Sequence, residues 1–203
     1  MSVRVGGLVP LTTVDFPDHL AAVVFCQGCA WRCPYCHNPH LQNVRTRGET
    51  GWMETLKFLA SRRGLLDGVV FSGGEPLLQA GLAAAMADVW NMGFKVGLHT
   101  AGPKPARLAQ VLPLVDWIGF DVKAPFAEYE RVTGVAGSGR LAWKSLELMA
   151  GSGVSFQLRT TLDKRLLTDS GLARLKRDLD ALGFADGLVV QECRTVPVSG
   201  FMA

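Results

Sequence analysis

Four of the five cysteines of this 203-residue chain, Cys26, Cys29, Cys33 and Cys36, fall within eleven residues. Such a cluster cannot staple distant segments as the dispersed cysteines of a secreted scaffold do. It suits metal binding by free thiolates in a reducing compartment. Thiolate softness selects iron–sulfur or zinc over magnesium or calcium. Cys29-x3-Cys33-x2-Cys36 places three thiolates on a tight loop, enough for three irons of a [4Fe-4S] cluster. Electron-transfer clusters ordinarily use four cysteines; three leave one iron open to a small ligand, which is an arrangement for catalysis. The competing assignment is a structural zinc site built from Cys26-x2-Cys29 and Cys33-x2-Cys36. Only three residues separate those pairs, whereas zinc-binding pairs usually stand roughly a dozen or more apart. Cys26 follows an apolar run and reads as a packing residue, as does Cys193.

The elements around the loop alternate. Apolar, β-branched runs predict strands at 21–25, 68–71, 94–98, 117–122, 154–161 and 187–191. Between them, helices are expected over 52–62, 79–91, 105–112, a glycine-broken region at 128–150, and a segment after the N-cap Thr168. Trp52, Leu56 and Leu59 share one helical face, and Leu82, Met86 and Val89 another, with Gly93 as a stop. Helical crossovers between buried strands imply a parallel sheet. About six βα units without a dinucleotide fingerprint fit an open or partial (β/α)6 TIM-like barrel, read as one domain over 1–203.

Chemistry in such barrels gathers at the C-terminal ends of the strands, and the unusual residues of this chain stand there. The cysteine loop follows the first strand, Gly73-Gly74-Glu75 the second, and His99-Thr100 the third; Asp121 and Lys123 end the fourth, and Arg159 lies late in the fifth. An arginine among β-branched neighbours calls for a carboxylate partner. Hydrophobic residues at 48% and charged residues at 19% exclude a disordered tail or a coiled coil. The net charge of +3 comes without a Lys/Arg stripe and supports no nucleic-acid partner. No apolar run reaches the roughly 18 residues of a membrane span, and no secretory signal is recognisable at the N-terminus, so a cytoplasmic, membrane-free setting is expected.

CAWRCPYC resembles the CxxxCxxC signature of the radical S-adenosylmethionine (SAM) enzymes, and FSGGEP resembles their SAM-binding motif. TTVDFP, VVFCQGCAWRCPYCHNP, FSGGEPLLQ, DVKAP and QLRTTL extend the similarity, over most of the chain, to the glycyl-radical-enzyme activating proteins. They look most like those of anaerobic ribonucleoside-triphosphate reductase. The resemblance implies that SAM chelates the open iron and that one electron splits it into methionine and a 5′-deoxyadenosyl radical. That radical takes a Cα hydrogen from a glycine of a partner glycyl radical enzyme. A one-electron donor such as flavodoxin or ferredoxin is implied as a further partner.

On this resemblance Cys29, Cys33 and Cys36 hold the cluster, and Tyr35 lies against the adenine. Gly73 and Gly74 admit the methionyl amino group close to backbone, and Glu75 accepts from it. Lys123 pairs with the SAM carboxylate, and Asp121 accepts from the ribose or holds a cation. Asn38, Thr100 and Arg159 complete the cofactor site, with His37 and Asp15 near it. The chain departs from the pattern at His99-Thr100, where these activases often carry Asp-Thr and the aspartate helps hold a monovalent cation; an imidazole does not replace that carboxylate. The sequence ends about a dozen residues after its last strand, where related enzymes often continue over SAM, which implies a wide mouth suited to a protein loop. Two alternatives stay open: a radical SAM enzyme acting on a small molecule, such as a 7-carboxy-7-deazaguanine synthase, and a non-catalytic zinc-binding module.

Overall fold

Seven strands and six helices account for the alternation in a computed structural model, which describes residues 2–184 and 187–193. In chain order they are β1 (Val5–Thr12), β2 (Ala21–Cys26), α1 (Trp52–Ala60), β3 (Gly68–Gly73), α2 (Leu82–Asn91), β4 (Lys95–Thr100), α3 (Pro105–Val111), β5 (Trp117–Asp121), α4 (Tyr129–Thr133), α5 (Ser138–Ala150), β6 (Ser155–Leu162), α6 (Asp169–Asp180) and β7 (Leu188–Glu192). They form one sheet in the order β1 to β7, and among the described residues β7 does not pair back onto β1. Strands β2 to β7 are parallel. The barrel is partial, as the alternation implied.

The strand absent from the sequence reading is β1. It runs antiparallel to β2 with register shifts at Val5/Gly7 and Val9/Thr12. Gly6, Gly7 and Pro10 hide it from a periodicity argument, and an edge position is where such residues are tolerated. Two helix boundaries also differ. The segment after Glu75 opens as a 3-10 turn over Pro76–Leu78, and α2 starts only at Leu82 because Gln79 is extended. Gly134 and Gly137 break 128–150 in left-handed conformations (φ +69° and +73°), but Gly139 lies inside α5. There an added Cβ would stand 3.0 Å from the Phe126 carbonyl oxygen, so Gly139 serves close packing rather than a break. Thr168 caps α6 as expected, its Oγ accepting from the Gly171 N–H at 3.2 Å.

Side chains alternate between the sheet's two faces. One face carries Ala22, Val24, Val69, Phe71, Leu98, Ile118 and Phe120 into the main core, with Leu59, Met86, Leu108 and Leu146 of the helices. On the other, parallel register aligns Val23 with Val70, Val70 with Gly97 and Gly97 with Trp117. Phe16, from the β1–β2 connection, packs with Val23, Val70 and Trp117 and plugs one end of the barrel interior with an apolar layer. Two residues further along β4, β5 and β6 the same inner face turns polar: His99 pairs in register with Gly119, and Asp121 with Arg159. No helix of the described residues is long and apolar enough to cross a membrane.

Candidate active site

A cavity of about 400 Å³ opens at the C-terminal ends of the parallel strands. It is lined by the twelve residues singled out above: Cys29, Cys33, Tyr35, Cys36, Asn38, Gly73, Gly74, Glu75, Thr100, Asp121, Lys123 and Arg159. Asp15, His37 and His99 join them. Cys26 does not. It is fully buried in the main core with Val24, on the helix-facing side of β2, and burial pushes its thiol up.

Backbone hydrogen bonds fix the cysteine loop from three sides. The Gly28 and Cys29 N–H groups donate to the Leu41 and Gln42 carbonyls at 2.7 and 3.1 Å, and the Arg32 N–H donates to Thr133 of α4 at 2.8 Å. Cys33 and Cys36 share a turn, the Cys36 N–H reaching the Cys33 carbonyl at 3.1 Å. The Trp31 N–H points at the Cys29 sulfur from 3.4 Å. Trp31 is buried and meets Tyr129 edge-on at 5.6 Å. Beneath the loop lie two buried amides that the sequence reading missed. Gln27 donates to the His40 and Asn43 carbonyls, and Gln79 donates to the Gln27 carbonyl at 2.7 Å while accepting from the Arg4 N–H. Burial raises the Cys33 thiol and pushes that of Cys29 up to about 12, with Glu75 adding to the latter. Loading these sulfurs with metal therefore means releasing protons.

The donor set fits an iron–sulfur cluster better than zinc. Among the described residues no three Cys, His, Asp or Glu groups converge as a single ion requires; tetrahedral zinc draws its sulfurs to about 2.3 Å. Ligands on separate corners of a cluster stand further apart. With Cys26 facing the core, a four-cysteine site has no fourth member here.

The Gly73-Gly74-Glu75 segment continues the β2–β3 pairing past the strand ends. Gly74 donates to the Cys26 carbonyl and Glu75 to the Gly28 carbonyl, both at 2.9 Å. Neither glycine tolerates a side chain. Gly73 has φ +110° and a Cβ would meet the Cys26 nitrogen at 2.4 Å; at Gly74 it would meet the Gly28 carbonyl oxygen at 2.5 Å. Glu75 is 3% exposed. It accepts from the Leu77 N–H at 3.0 Å, the Thr100 hydroxyl at 2.6 Å and the Ala101 N–H at 3.1 Å. Burial pushes its carboxyl up to about 7 against the pull of these donors. Thr100 is engaged by Glu75 and by the Gly102 N–H at 3.0 Å, so it props the glutamate. Asn38 precedes a 3-10 turn without a side-chain capping bond.

Across the cavity, Asp121 accepts from Arg159 Nε at 3.0 Å and from Lys123 Nζ at 3.3 Å. Burial opposes its charge, but Lys123 and then Arg159 overcome that and hold the carboxyl down at about 2. Arg159 thus has the carboxylate partner its strand position demanded. Its guanidinium lies over Gly119, where a Cβ would meet Cζ at 2.8 Å. His99 is 8% exposed, and its Nε2 stands 2.8 Å from the Asp15 carbonyl oxygen. Since a carbonyl only accepts, Nε2 carries the proton. Burial, then Arg159, lowers the ring to about 4, so the imidazole is neutral. His99 therefore ties the β1–β2 connection to the barrel interior. Asp15 itself accepts from the Thr12 hydroxyl at 2.6 Å, in a turn beside the mouth. Ser72, Thr161 and Gln191 also line the cavity; Ser72 and Gln191 are polar residues late in apolar strands, a signal available in the sequence, whereas Thr161 lies in a strand already mixed with polar residues.

The radical SAM superfamily model matches residues 23–164, the stretch that carries the cysteine loop, the glycine cradle and the Asp121–Arg159 pair. The chain belongs to that superfamily. Within it, this radical SAM chain groups with the glycyl-radical-enzyme activating enzymes. It is 30% identical over 192 residues to MJ1227 of Methanocaldococcus jannaschii, whose name assigns it provisionally to those enzymes, with 89% of this chain and 78% of that protein covered. It is 34% identical over 128 residues to the pyruvate formate-lyase-activating enzyme of Clostridium pasteurianum, covering 59% of this chain and 52% of that one. The chain thus spans about half the length of that second relative. In fold it is similar to the solved structure of native anSMEcpe with bound AdoMet, at a TM-score of 0.66 and 16% identity over 83% of this chain and 49% of that one. Radical SAM oxidoreductases use a [4Fe-4S] cluster and SAM, and the activating enzymes among them act on a protein partner.

Proposed function

We propose that this chain, as a single domain, cleaves SAM reductively at a [4Fe-4S] cluster held by Cys29, Cys33 and Cys36, and so generates a glycyl radical on a partner enzyme. The observation that carries this reading is convergence. Three loop sulfurs, a backbone cradle without side chains and a charged triad line one cavity. When bound, the cluster supplies the electron that breaks the sulfonium bond of SAM. The chain's own residues do the positioning. The cradle at Gly73 and Gly74 brings backbone next to the cysteine loop, where an amino group fits, and Glu75 keeps one carboxylate lone pair for it. Lys123 offers ammonium donors to a carboxylate. Asp121 stays ionised beside them, accepts from a ribose hydroxyl and neutralises the two cations. Tyr35 and Asn38 flank the nucleotide, and Thr100 and Arg159 hold Glu75 and Asp121 in place.

The partner we favour is anaerobic ribonucleoside-triphosphate reductase, supported by the sequence motifs, with a flavodoxin or ferredoxin as electron donor. The test is anaerobic reconstitution followed by reduction and quantification of 5′-deoxyadenosine. Wild-type protein should form it and Cys33→Ala should not. Incubation with the reductase and, separately, with a pyruvate formate-lyase should give a glycyl radical signal with the reductase. Release of 5′-deoxyadenosine by Cys33→Ala at the wild-type rate would refute the assignment.

A further inference from the structure

From Leu20 to Gly48 the chain carries no aspartate or glutamate, yet the same stretch holds Arg32, Arg45 and Arg47 together with the cysteine loop. All three arginines are exposed. Arg4 joins them from the residue before β1, its guanidinium donating to the Val44 carbonyl. Arg32 donates to the Cys29 and Trp31 carbonyls at 2.7 and 2.9 Å, which pins its charge against the loop. The ion pairs among the described residues engage Lys123, Arg131, Arg159, Arg165 and Arg174, and none engages these four arginines. None of the four lines the cavity. The cysteine loop therefore has a second, cationic side. Beside Arg4 and Arg45 stands Val44, 44% exposed. It packs directly on Gly28, where an added Cβ would meet the Val44 Cα at 3.3 Å and the Arg4 guanidinium at 3.2 Å. The bare glycine lets a surface residue touch the loop one position before Cys29, whose N–H is held by the Gln42 carbonyl at 3.1 Å. SAM and the partner's glycine fill the cavity side, so a protein that delivers electrons must approach from outside it.

We propose that this face, with Arg4, Arg32, Arg45 and Arg47 around Val44, docks the electron donor, and that the donor is an acidic flavin-mononucleotide carrier protein. This rests on the reading that Cys29, Cys33 and Cys36 hold the cluster. The four guanidiniums steer a carboxylate-rich rim into place. Val44 meets the apolar dimethylbenzene edge of the flavin, an edge that an iron–sulfur centre enclosed by its own ligating loop does not offer. Electron-transfer encounters are small and transient, so steering charge counts for more than buried area. In the step itself one electron leaves the reduced flavin and enters the oxidised cluster. No bond forms or breaks, and the flavin keeps its N5 proton.

The test uses the cluster-loaded protein and a flavodoxin under anaerobic conditions. Calorimetric titration with oxidised flavodoxin reads docking, and stopped-flow bleaching of the cluster by reduced flavodoxin reads electron entry. Arg45→Glu/Arg47→Glu should weaken docking and slow bleaching, each by about tenfold at low salt, and added salt should narrow the gap. A matched reversal at exposed positions of α6, Lys176→Glu/Arg177→Glu, lies across the sheet from β1 and should change either by less than about twofold. Bleaching by photoreduced 5-deazaflavin, small and uncharged, should be the same in all three proteins. Equal docking by wild type and Arg45→Glu/Arg47→Glu overturns the proposal. So does wild type that docks no flavodoxin, an equal loss in the α6 variant, or slower 5-deazaflavin bleaching in Arg45→Glu/Arg47→Glu, which gives these arginines a structural role instead. A ferredoxin that docks where flavodoxin does not, and is lost in the same variant, overturns the choice of a flavin carrier. Wild type that takes up no iron and sulfide overturns the reading of the site as well.

Discussion

Two carboxylates on opposite walls of one cavity are held in opposite states. Glu75 is tied by two backbone N–H groups and a hydroxyl, with no cation in contact, and burial pushes it up to about 7. Asp121 touches a lysine and an arginine and is held down at about 2 despite burial. The contrast shows a division of labour. The β3–β4 wall is a backbone cradle whose groups are nearly all satisfied internally. The β5–β6 wall is ionic and keeps unspent donors on Lys123 and Arg159. A zwitterionic ligand with one ammonium and one carboxylate matches the two walls in that order.

The comparison breaks most visibly at the cradle. Gly74→Ala sets a Cβ 2.5 Å from the Gly28 carbonyl oxygen and 2.7 Å from that of Leu41. Backbone cannot yield there without moving the loop that begins at Cys29. Iron per chain after reconstitution should fall severalfold, and SAM binding should weaken by well over about tenfold, since a shift of about 1 Å in a positioned group costs about 100-fold.

On the ionic wall, Asp121→Asn leaves two partly buried cations facing each other. Unfolding by denaturant should show a loss of about 3 kcal/mol, the lower end for breaking a buried pair, because about a third of the aspartate side chain is open to water. An unchanged midpoint would mean that the triad is solvated.

Stability against pH sharpens the contrast with Glu75. Its folded pKa, about 7, lies above the ordinary 4.5, so its contribution is full below pH 4.5 and is lost as pH rises through 7. His99 works the other way. Its folded value, about 4, lies below 6.5, so its contribution is full above pH 6.5 and is lost as pH falls through 4. Each slope is on the order of 3 kcal/mol and they oppose each other across the same window. In metal-free protein, Glu75→Gln should unmask a stability that climbs from pH 4 to 6.5, and His99→Gln one that declines from pH 4.5 to 7; melting curves at several pH values decide. The smallest effect is Thr100→Val. It removes one donor from Glu75 and should cost about 1.5 kcal/mol, while shifting the declining limb of the Glu75 profile to higher pH.

The site was more legible in the sequence than its supports were. Cys29, Cys33 and Cys36, the glycine pair and Asp121 with Lys123 are local patterns, readable because their chemistry depends on spacing of one to four residues. The parallel strands were readable because apolar runs alternate with helical faces. What stayed hidden depends on distant partners. Gln79 supports Gln27 across 52 residues, and Thr100 props Glu75 across 25; nothing in PLLQ or HT announces those bonds. β1 escaped because its strand character comes from pairing with β2 and not from its own glycine- and proline-bearing composition. The His99 tether to Asp15, 84 residues away, arises only once Phe16 has carried that segment across the barrel interior.

The central claim is that three sulfurs leave one iron of a four-iron cluster open to SAM. Electron paramagnetic resonance of the reconstituted, reduced protein tests it most directly. The account predicts a reduced [4Fe-4S] signal whose g-values move when SAM is added. A signal indifferent to SAM, or zinc in place of iron and sulfide, would contradict it.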